Sequence, residues 1–121
     1  MLRERINSFK YAFAGIADLF KTQPNAWIHL SFAVLAICLG FFFSISSTEW
    51  CLLTFAISIV ISAEAFNTAL EHITDLVSPD YHKLAGRTKD VAAAGVLIVA
   101  MGTAIIGLLI FLPKILDYFQ L

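Results

Sequence analysis

The sequence predicts an all-α membrane protein, with three transmembrane helices preceded by an amphipathic helix in the membrane interface. Three observations carry this expectation. Of 121 residues, 60% are apolar and 14% charged, with a mean hydropathy of +0.84; a soluble domain is roughly 45–50% apolar even with glycine counted. Three apolar runs cover Ile28–Ile45, Trp50–Leu70 and Val91–Leu112. At about 18–22 residues and 1.5 Å per residue, each crosses a hydrocarbon core of roughly 30 Å. The third observation is the periodicity of the first 24 residues.

There, Ile6, Phe9, Phe13, Ile16 and Phe20 recur at alternating spacings of three and four, with Arg3, Asn7, Lys10, Asp18 and Lys21 opposite. That pattern is an amphipathic helix ended by Pro24, half polar and therefore suited to the interface plane. Its charges also interrupt any leader-like apolar stretch, so no signal peptide is expected. Ser44–Thr48 is long enough only for a tight turn between the first two spans. His72–Asp90 is polar, contains Ser78-Pro79-Asp80 and Gly86, and is expected to be a loop with a helical turn starting at Pro79. Residues 1–121 form one membrane-embedded domain.

Composition excludes a soluble enzyme and a disordered tail. A net charge of −1 without a basic cluster excludes a nucleic-acid partner. Cys38 and Cys51 lie at different depths of successive runs and are expected to be unpaired apolar fillers. Of the eight basic residues, Arg3, Arg5, Lys10, Lys21, Lys83, Arg87 and Lys89 share one side of a three-span topology, and only Lys114 lies on the other. A cytoplasmic amino terminus and an external carboxyl terminus follow.

The second span ends abnormally. Glu64, Asn67, Thr68, Glu71 and Asp75 fall within about 100° of one another, a polar stripe on an otherwise apolar helix. Glu64 lies roughly 21 Å from the outer end, still inside the hydrocarbon, where an ionised carboxylate must be paired or face a wet cavity. Interhelical polar glue needs an Asn and a Glu at most; two glutamates and an aspartate exceed that. Three helices alone are not expected to shield such a stripe from lipid, so an oligomer is expected. Ala100-xxx-Ala104 and Thr103-xxx-Gly107 on the third span offer close-packing surfaces.

Carboxylates at an interface suit Mg²⁺, a hard cation that binds through one or two carboxylates plus substrate phosphates. The deeper Glu64 suits general-base work. His82, Lys83, Arg87, Lys89 and Asp90 supply the complement, with Lys89 opposite the stripe as a phosphate ligand. His29 and His72 are read as interfacial and structural. No glycine-rich phosphate loop with its lysine is present, nor the protein-kinase signatures, and no zinc-type spacing occurs.

The run Ala63-Glu64-Ala65-Phe66-Asn67-Thr68-Ala69-Leu70-Glu71, with Asp75, Ser78-Pro79-Asp80-Tyr81-His82 and Gly86-Arg87-Thr88-Lys89-Asp90, closely resembles the small bacterial diacylglycerol kinase / undecaprenol kinase family. The resemblance covers nearly the whole chain. Ser8-Phe9-Lys10-Tyr11-Ala12-Phe13, Gly15-Ile16, Ile28-His29-Leu30, Ser47-Thr48-Glu49-Trp50 and Phe111-Leu112-Pro113-Lys114 look most like the undecaprenol kinase branch. It implies a homotrimer in the bacterial cytoplasmic membrane, with sites shared between neighbours, in which Mg²⁺ and ATP phosphorylate a lipid hydroxyl at the cytoplasmic interface. On this sequence it implies Glu64 as catalytic base at the substrate hydroxyl and Glu71 as a metal ligand. Tyr11, Asn67, Asp80, Tyr81, His82, Lys89 and Asp90 match nucleotide- and phosphate-contacting positions.

Two positions depart from the family pattern. Glu4 stands where the diacylglycerol branch has an arginine, with Arg3 and Arg5 on either side. Gln23 stands where the family usually has its second metal-binding glutamate, which implies weaker metal affinity. Two other readings stay open on sequence: a small proton- or cation-conducting oligomer, since intramembrane carboxylates also mark ion paths, and a catalytically weak structural relative.

Overall fold

A computed structural model describes all 121 residues as four helices without strands: α1 (Leu2–Thr22), α2 (Pro24–Phe42), α3 (Ser47–Val77) and α4 (Lys83–Phe119). Three of them, α2, α3 and α4, are long and apolar enough to cross a membrane. α1 is the amphipathic segment.

A single residue separates α1 from α2. Gln23 is extended, with φ −117° and ψ 105°, and Pro24 follows at the first turn of α2. Proline disfavours helical backbone in the residue before it, yet suits the start of the next helix because that N–H would lack a partner anyway. Pro24 thus ends one helix and begins another. The corner is tied by the Trp27 indole N–H, which donates to the Phe20 carbonyl at 2.7 Å, with the two rings edge to face at 5.2 Å.

Between α2 and α3 the chain reverses in four residues, with Ser44 at φ 48° and the Ile45 N–H returned to the Gly40 carbonyl at 3.1 Å. Ser46 then caps α3: its hydroxyl accepts from the Glu49 N–H at 3.2 Å, and the Glu49 carboxylate accepts from the Ser46 N–H at 2.8 Å. This reciprocal capping satisfies two N–H groups that a helix start leaves open. Glu49 also pairs with Lys114 of α4, the one basic residue at this end of the helices. Ile45, Leu53, Ile110 and Phe111 bury together at this end.

The His72–Asp90 loop is shorter than expected. Residues 72–77 continue α3 and residues 83–90 already belong to α4, which leaves only 78–82 outside helix. The polar side chains of His72, Thr74 and Asp75 carry the helix beyond the hydrocarbon rather than ending it. It stops at Ser78, the residue before Pro79. No helical turn starts at Pro79; α4 starts at Lys83, where the His82 ring nitrogen Nδ1 accepts from the Leu84 N–H at 3.1 Å. Cys38 and Cys51 are free.

Candidate active site

The α3 stripe divides by depth. Glu64, Asn67 and Thr68 are buried, Glu71 is partly covered, and Asp75 is exposed. Three helices therefore do shield the deep part of the stripe, contrary to the expectation that a single chain could not. Small residues allow it: Ala26 and Ala33 of α2 and Ala56 of α3 are buried, and small side chains let helices approach closely in a membrane.

Glu64 is 1% exposed. Its Oε1 has no hydrogen-bond partner, although the His29 Nε2 lies 3.2 Å away, at hydrogen-bond distance but out of alignment. Reading His29 as merely interfacial missed this pairing. The Thr68 hydroxyl donates back to the Glu64 carbonyl at 2.8 Å and stays within the helix.

Seven residues beyond Glu64 along α3, about two helical turns, three side chains meet at Glu71. The Asn67 amide donates to one carboxylate oxygen at 2.9 Å, and the Gln23 amide faces the other at 3.5 Å. The corner at Pro24 brings Gln23 here, so the α1–α2 break serves the site directly. The Asn67 Oδ1 is buried without a partner. Nowhere do three or more His, Cys, Asp or Glu side chains gather as a closed metal cage. One carboxylate, an orphaned amide oxygen and a second amide are hard donors that suit Mg²⁺ only with substrate phosphates completing its shell. The residues fit the ion on that condition.

Lys89 of α4 forms an ion pair with Asp75 of α3, so a cation does stand opposite the stripe. Asp75, part of the stripe but assigned no role from sequence, is its partner. His82 spends its Nδ1 on capping α4. Tyr11, Asp80, Tyr81 and Asp90 are exposed, Tyr81 at 94%, and their side chains bond to none of the others. Within one chain none of these four side chains forms a hydrogen bond or ion pair with Glu71.

Two grooves run beside α3. One of about 690 Å³ lies between α3 and α4, bordered by Phe66, Asn67, Leu70, Arg87 and Thr88. The other, about 530 Å³, lies among α2, α3 and α4, bordered by His29, Phe32, Ala56, Thr103 and Gly107. Both are mainly apolar with one polar margin, as a lipid alcohol requires.

Residues 10–111 match the family model described as prokaryotic diacylglycerol kinase. The undecaprenol kinase of Bacillus subtilis (strain 168) is 39% identical over 114 residues, which span 94% of this chain and 93% of that protein. The diacylglycerol kinase of Haemophilus influenzae is 34% identical over 113 residues, 91% of this chain and 95% of the relative. That of Synechocystis is 37% identical over 111 residues, 91% of this chain and 63% of the relative.

Proposed function

The chain belongs to the prokaryotic diacylglycerol kinase family and is a lipid kinase, and from that premise we propose that it transfers the γ-phosphoryl group of ATP, with Mg²⁺, to the hydroxyl of a membrane lipid at the cytoplasmic face. Undecaprenol is the favoured acceptor and diacylglycerol the other; the end-to-end match to a protein named undecaprenol kinase supports that order. The products are undecaprenyl phosphate or phosphatidic acid.

The observation that carries the reading is the layering of α3. A buried carboxylate, Glu64, lies deeper than a half-open carboxylate with amide neighbours, Glu71, and a lysine stands beyond both at Asp75. That order matches a lipid hydroxyl approaching from the membrane and a polyphosphate approaching from water. In this reading Glu64 takes the hydroxyl proton, the freed oxygen attacks the γ-phosphorus, and ADP leaves toward water. Glu71, the Asn67 amide oxygen and, after an amide turn, the Gln23 oxygen would hold Mg²⁺. Bound there, the ion offsets phosphate charge and polarises the γ-phosphoryl group. Lys89 exchanges Asp75 for phosphate oxygens, and Tyr11, Asp80, Tyr81, His82 and Asp90 border the nucleotide.

Four of those nucleotide positions are exposed and have no bonded side-chain partner within one chain, which supports a site completed by a neighbouring subunit of a homotrimer. The amino terminus and residues 78–82 face the cytoplasm of a bacterial cell. A conducting oligomer is disfavoured: such a path wants acids through the bilayer, whereas these gather at the inner end of α3 beside cations. The test is purified protein given undecaprenol and diacylglycerol separately with Mg²⁺ and γ-labelled ATP. Label is expected on both lipids, faster on undecaprenol; label on neither would overturn the proposal.

A further inference from the structure

We propose that His29 is the positioning residue for Glu64, the α2 side chain that holds the buried carboxylate oriented toward the lipid hydroxyl. The inference rests on the reading of Glu64 as the base. A base must be deprotonated before it acts, and an ionised carboxylate out of water is costly unless a donor meets it. Glu64 Oε1 is buried and no hydrogen bond reaches it. Of all basic side chains, only His29 lies within ion-pair distance of Glu64, its Nε2 being 3.2 Å from that same oxygen. A small rotation of the ring turns this approach into an N–H donated to Oε1, with no movement of backbone.

The backbone is placed for the task. Ala26, His29 and Ala33 follow one another at spacings of three and four, one face of α2, and both alanines are buried. Their small side chains let α2 lie close to α3, and the imidazole reaches Glu64. The corner fixes where the face begins, because Pro24 starts the helix and Trp27 is tied to Phe20.

His29 also borders the 530 Å³ groove, which Glu64 does not, and its side chain is 20% exposed against 2% for that of Glu64. A hydroxyl arriving along this groove meets the imidazole edge before the carboxylate. Orientation of Glu64 by His29 therefore decides whether the carboxylate meets the hydroxyl within the roughly 2.6–3.2 Å that proton transfer needs.

The test is a double-mutant cycle on the full-length protein in lipid-containing micelles, following label from γ-labelled Mg-ATP into lipid. His29→Leu removes the donor and should lower kcat about 10–100-fold, leaving the KM for ATP within about twofold. His29→Gln keeps an N–H at similar reach and should hold kcat within about threefold of wild type. In a Glu64→Gln background, where there is no carboxylate to orient, His29→Leu should cost less than about twofold more. A purely packing role would cost the same in both backgrounds, and that result overturns the proposal. So does a Gln variant as slow as the Leu variant, or a Leu variant with wild-type kcat. Failure of the underlying reading shows separately, as a Glu64→Gln single variant that keeps more than about a third of the wild-type rate.

Discussion

The Gln23 amide lies 3.5 Å from the Glu71 carboxylate, reaching it across the corner between α1 and α2. A neutral amide thus occupies a place beside the half-open carboxylate where a second negative charge would strengthen a divalent cation site. Magnesium favours carboxylates, and one charge about 2–4 Å from a divalent ion matters even at an effective dielectric constant near 20. Gln23→Glu is expected to lower the half-activating Mg²⁺ concentration by roughly tenfold, about 1.4 kcal/mol. Titrating Mg²⁺ at fixed ATP in both proteins gives the answer; superimposable curves would remove Gln23 from the metal site.

Replacing Glu64 by Gln keeps the shape of the side chain and removes its basicity. General-base catalysis is typically worth about 10²–10⁴-fold, and the variant should lose kcat on that scale. Burial makes a second outcome informative: Glu64 is 1% exposed, and a buried amide is less costly than a buried charge, so the variant should keep a thermal midpoint at or above that of wild type. A variant that unfolds early, with activity lost in proportion, would make Glu64 a structural residue.

The stripe was legible in the sequence because helical spacing alone places Glu64, Asn67, Thr68 and Glu71 on one face, whatever packs against them. Lys89 was legible as a cation near that face, though its partner Asp75 needed the structure. His29 was not, because its partner lies on another helix and the register between α2 and α3 depends on the turn at residues 43–46. A depth-matched pairing of polar residues on the two spans is the signal that would have found it. The extension of α3 to Val77 was hidden because polarity reads as a break, although a helix emerging from lipid is expected to turn polar. Tyr11, Asp80 and Tyr81 came from family resemblance alone, Asp90 also from the polar segment it shares with Lys89, and within a single chain none of the four side chains bonds to another. The membrane class and the span number needed only apolar run length.

Gly40 sits beneath Trp50 beside the turn between α2 and α3. A methyl group there would lie 2.7 Å from Cη2 and 2.9 Å from Cζ2 of Trp50, and 3.2 Å from Cδ1 of Ile45. The ring has little room to yield, since Phe41 packs on it at 4.9 Å between centroids. Overpacking typically costs about 1–3 kcal/mol, so Gly40→Ala should lower the thermal midpoint despite alanine's better helix propensity. Gly15→Ala, with open space around it, should not. Equal midpoints for the two variants would show that Trp50 moves aside freely.

The topology can be read by labelling single-cysteine variants, made in a Cys38→Ser, Cys51→Ser background, in intact cells. Seven of eight basic residues lie at one end, and the eighth, Lys114, is paired with Glu49, so the bias toward a cytoplasmic amino terminus is strong. An impermeant reagent should label Gln120→Cys and spare Ser78→Cys. The reverse pattern would place the kinase site outside, away from ATP.

Site sharing has its own measurement. The deep carboxylate, Glu64, is covered by a single chain, so shielding does not demand an oligomer. A shared site is supported instead by Tyr11, Asp80, Tyr81 and Asp90, which are exposed and have no bonded side-chain partner in their own chain. If a neighbouring subunit brings its nucleotide-binding residues to this chain's Glu64 and Glu71, lesions on the two sides separate onto different sites when subunits mix. Glu64→Gln and Asp90→Asn chains, each nearly inactive alone, are therefore combined at graded ratios and reassembled in lipid micelles. Chains of the two kinds meeting at one interface regenerate a site with an intact Glu64 and an intact Asp90. Activity should rise to a maximum near equal proportions and reach a sizeable fraction of one wild-type site per mixed oligomer. A flat line at the level of the separate variants, with mixing confirmed by co-purification of differently tagged chains, would mean that each chain builds its site alone.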